Sequence, residues 1–180
     1  MMGSSPPANM IIPRIWVGNY NAAKNSAFLQ ANNITVVVNA TKDLAFQTAV
    51  PTTKYRVPVD DSLEEEDIRN MELWAPEAVY NILKEYTQGK TILIHCAAGM
   101  QRSAALAAMT LIAIRRISTD EAVRIVREQR QIAFRPGVNF YRSIKGFEAY
   151  YNKSIYPILA EQVPAQQQHK GPMRPHLKSD

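Results

Sequence analysis

The chain has 180 residues, 46% of them hydrophobic, a formal net charge of +5 and a single cysteine. This length and apolar content suit one domain with a core of its own, and a lone cysteine excludes an intrachain disulfide and fits a reducing compartment, the cytosol or the nucleus. No apolar run reaches the roughly 18 residues of a membrane span, and the opening MMGSSPPANM lacks the basic and apolar regions of a signal peptide, so a soluble protein with no membrane insertion is expected.

Residues 1–10 are polar and proline-bearing and read as a flexible segment; the folded domain is expected over 11–160, with a second flexible tail, rich in Gln and Pro, over 161–180. Within the domain, Ile15 to Val17 reads as a strand, residues 21–31 as a helix, ITVVV (34–38) as a second strand and YRVPV (55–59) as a third, each strand being short and β-branched or aromatic. DDSLEEED (60–67) then sets six acids ahead of a helix expected over 68–86, and Glu64, Glu65, Glu66 and Asp67 read as its solvated start. TILI (91–94) is uniformly apolar, as a central strand is, and the helix expected over 103–116 is apolar nearly all round, as one buried in the middle of a domain is. Ser118 and Thr119 with Asp120 and Glu121 supply a cap and first-turn acids for a helix over 119–130, and a last helix is expected over 138–151. Strands interleave with helices, which predicts an α/β domain with a central, mainly parallel sheet of about four or five strands flanked by helices on both faces.

Charge is unevenly spread. Residues 102–145 carry nine Lys or Arg against three Asp or Glu, so one face would attract anions, although solvated outer helix faces account for the same surplus. The chemistry concentrates in HCAAGMQRS (95–103), which contains the one cysteine and joins the apolar strand to the apolar helix. In an open α/β sheet that position, the C-terminal end of a strand, is where ligands bind. Ala97, Ala98, Gly99, Met100 and Gln101 form a loop with little bulk at its start and glycine at its bend, able to turn successive backbone N–H groups inward as an anion nest with the helix dipole behind it. Arg102 closes the loop with a planar guanidinium that can grip two phosphoryl oxygens. A cradle that accepts phosphate also stabilises a thiolate, so Cys96 is expected to be ionised at neutral pH and placed for in-line attack on phosphorus. The competing reading is a buried structural cysteine. Given a cysteine, His before it, Gly three later, Arg six later and then Ser or Thr arise by chance only about once in 10^5 at typical residue frequencies. The loop lacks the Gly-Lys-Ser/Thr of a nucleotide-binding P-loop, and without a second cysteine a thiol oxidoreductase has no resolving thiol.

HCAAGMQRS resembles the His-Cys-x5-Arg-Ser/Thr signature of the cysteine-dependent protein phosphatases, in the context of their compact dual-specificity branch. The resemblance runs over about residues 11–151, through RIWVGNYNAA, ITVVVNAT, YRVPVDDS, the signature and the helices after it. It implies a protein-tyrosine-phosphatase-like fold and a metal-independent, cofactor-free hydrolase of phosphotyrosine and phosphoserine/threonine esters, with phosphoprotein as partner. By the same resemblance Cys96 is the nucleophile, Arg102 binds phosphate and stabilises the transition state, the backbone of 97–101 completes the cradle, and Ser103 hydrogen-bonds the departing thiolate. His95 would tune the cysteine from behind; read from the residues alone, it is as well explained as a packed histidine.

Leaving-group expulsion also needs a proton donor. The family carries this acid on a loop after a strand similar to YRVPV, which implies Asp61, with Asp60 as the fallback. Asn39, ending ITVVVN, is a candidate brace for the loop or a plain strand-end turn residue. The chain departs from the family at RQIAFRPGVNFYRSI, where Pro-Asn-x-Gly-Phe is usual. There Arg130 and Arg135 read as solvated helix-end residues, the alternative being contacts to an acidic substrate. Met100 and Gln101 bring no lysine into the loop, which leans away from phosphoinositides. The basic surplus leaves an RNA 5′-triphosphate end as an alternative substrate, with nucleic acid less favoured than phosphoprotein, and a phosphoprotein-binding module without turnover as a non-catalytic alternative.

Overall fold

A computed structural model describes residues 5–162. The N-terminal segment is the first departure from expectation. Residues 8–10, assigned above to a flexible segment, belong to strand β1 (Ala8–Ile12), which turns at Arg14 (φ 71°) and pairs antiparallel with β2 (Ile15–Gly18). Its N-terminal half, Ala8-Asn9-Met10, carries no alternation to betray it: Ile11 and Ile12 are its only buried residues, as suits an edge strand.

The helix expected over 21–31 is two, α1 (Tyr20–Lys24) and α2 (Ser26–Ala31). Asn25 ends the first in extended backbone (ψ 97°) and caps the second by accepting from Phe28 N at 3.0 Å. Strand β3 (Ile34–Asn39) agrees with its prediction, whereas β4 covers Thr53–Arg56 rather than 55–59. Pro58 has no N–H to give to a ladder, so pairing stops and Val57 and Val59 continue as buried loop. Helix α3 (Glu65–Thr87) begins three residues early, and Asp67 is not a solvated acid: it is 7% exposed, and its carboxylate accepts from the Ser62 hydroxyl and from Ser62 N, which fixes the turn into the helix.

Strand β5 (Thr91–His95) is central, flanked by β2 and β3 in parallel, in a sheet of order β1-β2-β5-β3-β4 in which only β1 is antiparallel. Ile92, Leu93 and Ile94 are wholly buried. Helix α4 (Arg102–Arg115) buries Leu106, Met109, Leu111 and Ile112, each side chain contributing roughly 1.5–3 kcal/mol by leaving water. The strand and helix on either side of the loop are thus largely solvent-excluded, and the loop between them is anchored at both ends. Helix α5 (Thr119–Gln129) is capped by Ser118, which accepts from Glu121 N at 3.2 Å, and α6 spans Tyr141–Tyr150.

The chain divides into two compact units, with the α/β unit ending at Glu148, short of the expected boundary at 160. From Ala149 the second unit comprises the end of α6, a π-helical turn (Tyr151–Ile155) and α7 (Tyr156–Glu161), with the Tyr151 and Tyr156 rings 6.5 Å apart. The expected tail lies, from residue 163, outside the described residues. Among the described residues no helix is long and apolar enough to cross a membrane.

Candidate active site

Cys96 follows the last residue of β5, and its N–H still reaches Gly18 O of β2 at 3.4 Å. Beyond it, the loop's carbonyls are all turned toward the surrounding protein. His95 O accepts from Ala40 N (2.8 Å), Cys96 O from His95 Nδ1–H (3.1 Å) and Ala97 O from Tyr20 N (3.0 Å). Ala98 O and Gly99 O accept from Arg130 Nη2 and Nε (3.5 and 2.7 Å), Met100 O from Phe134 N (2.8 Å) and Gln101 O from Ala105 N (2.8 Å). A trans peptide plane sets each N–H opposite the preceding carbonyl. The amides of 98–102 therefore face the interior of the loop, and those of Ala98, Met100, Gln101 and Arg102 meet no protein acceptor among the described residues. Gly99 N–H instead donates to Cys96 Sγ at 3.3 Å.

Glycine is required at position 99. Its φ is +68°, and a Cβ there would sit 2.6 Å from the Gly18 carbonyl and 2.8 Å from Arg130 Nη2. The sulfur is 2% exposed as a residue, at the bottom of the loop, with the Ser103 hydroxyl of α4 3.2 Å away and free to donate to it. Arg102 reaches over the loop to Val59 O at 3.2 Å, while its buried Nε meets no partner, a donor left for an anion in the cradle. Burial is the main influence on His95, pushing its pKa down to about 4 with help from the charges of Arg56 and Arg102, against the opposing pull of its hydrogen bond to Cys96 O. The ring is neutral at pH 7, and its Nδ1–H fixes the carbonyl behind the sulfur.

Arg130 overturns the reading of a solvated helix-end residue. It is 1% exposed and holds four acceptors, Gly99 O and Ala98 O behind the cradle and, through Nη1, Pro6 O (2.7 Å) and Asn9 Oδ1 (2.8 Å) of the N-terminal segment. An arginine after a helix gives no sign of this, because its partners are main-chain carbonyls distant in sequence. Arg135 does lie at the surface, its Nε donating to Gln131 O, in a cleft of about 680 Å³ lined also by Met100 and Arg127. Asn39 is fully buried, but its side chain braces the next turn, donating to Leu44 O at 2.8 Å and accepting from the Thr41 hydroxyl at 2.6 Å, not the cysteine loop.

The two aspartates separate cleanly. Asp60 pairs with Lys42 at 3.0 Å, both exposed, whereas Asp61 Oδ1 accepts from Asn139 Nδ2 at 2.9 Å. Gln101 connects this side to the cradle: its buried amide donates to Arg135 O (3.2 Å) and Gly137 O (2.8 Å) and accepts from Asn139 N (3.0 Å). Neither Asn139 nor the Gln101 side chain was singled out from sequence.

A cysteine at the floor of an amide-lined loop between a central strand and a buried helix, with an arginine at the rim, defines the class of phosphoryl-handling cysteine proteins. Residues 15–150 match the model of the dual specificity phosphatase catalytic domain, and the chain belongs to that family. It is 31% identical over 140 residues to dual specificity protein phosphatase 18 of Pongo abelii, covering 78% of this chain and 72% of that protein. It is also 31% identical over 148 residues to human dual specificity protein phosphatase 16, covering 79% of this chain but only 22% of that protein's length. The crystal structure of human DUSP28 superposes with a TM-score of 0.74 at 22% identity, covering 84% of this chain and 99% of that one, a likeness of fold.

Proposed function

We propose that the protein is a dual-specificity protein phosphatase that hydrolyses phosphotyrosine and phosphoserine/threonine esters of proteins through a cysteinyl-phosphate. The observation that carries this reading is the hydrogen bonding of every carbonyl from His95 to Gln101 to surrounding groups, which turns the amides of 98–102 into the loop, with Gly99 N–H at the Cys96 sulfur. Such a set of inward-facing amides binds a tetrahedral dianion. Arg102, with its Nε unpaired, grips the equatorial oxygens that carry charge in the transition state.

In the first step the Cys96 thiolate forms an S–P bond as the ester P–O bond breaks, and Asp61 gives its proton to the departing oxygen. In the second, Asp61 takes a proton from water as the water oxygen attacks phosphorus; the S–P bond breaks, and the Ser103 hydroxyl hydrogen-bonds the released thiolate. Neutral His95 has its Nδ1–H committed to Cys96 O and serves the loop's shape rather than proton transfer. Arg127 and Arg135, in the cleft beside Met100, suit a substrate with acids near the phosphorylated residue.

The test is Cys96→Ser: hydrolysis of phosphopeptides and aryl phosphates falls to background while orthophosphate binding by calorimetry persists. Undiminished turnover in that variant overturns the mechanism. Wild-type protein that captures phosphopeptide without releasing phosphate favours the binding-module reading, and faster turnover of a triphosphorylated RNA end favours the nucleic-acid one.

A further inference from the structure

In the family pattern the turn before the last helix reads Pro-Asn-x-Gly-Phe. Here Pro136 to Phe140 reads Pro-Gly-Val-Asn-Phe, with glycine and asparagine exchanged. The exchange gives one residue two separate bonds. The backbone N–H of Asn139 donates to Gln101 Oε1 at 3.0 Å, which ties the turn to the phosphate loop, and its side-chain amide donates to Asp61 Oδ1 at 2.9 Å. Gln101 is 5% exposed and further fixed by the carbonyls of Arg135 and Gly137, so Asn139 projects from a rigid base toward an otherwise exposed carboxyl group.

We propose that Asn139 is the positioning residue for the general acid, a role that rests on the phosphatase reading above. An amide N–H can only donate. When Asp61 is protonated, Asn139 selects the carbonyl oxygen and leaves the hydroxyl proton on Oδ2, turned away from the amide and available to the leaving oxygen. After transfer, the same bond holds the carboxylate so that Oδ2 is the oxygen offered to water. The phosphate loop and the acid are thereby set by one turn, and the side chain at 139 acts only on the acid's half.

That division makes the proposal testable. Asn139→Ala and the near-isosteric Asn139→Asp both keep the backbone bond to Gln101 and lose the amide donor. On phenyl phosphate, whose leaving group needs a proton, each is expected to lower kcat about 10-fold or more, part of the ~10² to 10⁴ a general acid supplies. On 4-nitrophenyl phosphate, whose leaving group departs as the anion, the loss is expected to stay within about 3-fold, with KM and orthophosphate inhibition unchanged, because acid assistance matters little there. In an Asp61→Ala background, Asn139→Ala is expected to add nothing, since a residue that acts through another has no effect once that other is gone. An equal loss on both esters, or an undiminished further loss in the Asp61→Ala background, overturns the positioning role and leaves the phosphatase reading intact. A wild-type protein that turns over neither ester overturns the phosphatase reading and this proposal with it.

Discussion

The cysteine loop, residues 96–101, and the acid loop, residues 57–64, meet across one site and are built by opposite means. In the first, every carbonyl is spoken for by a backbone amide, His95 or Arg130, and Cys96, Gln101, Ser103 and Arg130 are each no more than 5% exposed. In the second, Val57 and Val59 are buried but the chain then emerges, and the two aspartates are held by single side-chain bonds from Lys42 and Asn139. The contrast suits the chemistry proposed for the two loops. A cradle for a dianion must be organised before the ligand arrives, because reorienting dipoles during the reaction costs the stabilisation they supply. A proton donor must admit leaving groups of many shapes and then water, which suits a segment tied at few points.

The sharpest break in the comparison is on the acid side. Asp61→Ala is expected to lower kcat on phosphotyrosine peptides by ~10² to 10⁴-fold with little change in thermal stability, and Asp60→Ala to leave kcat within a few-fold; steady-state kinetics of the pair decide it, and the reverse outcome reassigns the acid to Asp60. On the cradle side, stability and binding should fall together. Arg130→Met strips the donor from four acceptors, and the carbonyls left behind cost roughly 1–3 kcal/mol each where water cannot replace it, so denaturant unfolding should show a loss of about 3 kcal/mol or more, with weaker orthophosphate binding.

The smallest effect belongs to His95. Its pKa is about 4 in the folded chain against an ordinary 6.5, so between those values the unfolded chain binds more protons and stability rises with pH. The contribution is complete above pH 6.5 and is lost as pH falls toward 4, amounting to roughly 2 kcal/mol by pH 5. Unfolding midpoints from pH 7 to pH 5 should show this slope in the wild type and a shallower one in His95→Asn. An unchanged slope would place the acid sensitivity elsewhere.

The same contrast explains what could be read without coordinates. The cradle was legible because its parts are contiguous: strand, nine-residue signature and apolar helix follow one another, and each residue type has one chemical use. For the proposed acid the resemblance implies Asp61 with Asp60 as the fallback, and nothing local distinguishes the carboxylate that meets Asn139, 78 positions on, from the one that meets Lys42. Strand β1 escaped because an edge strand with two buried residues has little alternation to show. Arg130 and the Gln101 side chain escaped because long polar side chains usually end in water, and only the fold shows where these are buried.

The grip of Arg130 on Pro6 and Asn9 as well as on the loop has a practical corollary. Trimming the first nine residues as dispensable would strip a guanidinium of half its acceptors while leaving the signature untouched in print. A protein so shortened should resemble a mutant of its own cysteine loop, with poorer capture of phosphate caused by a cut remote from that loop in sequence.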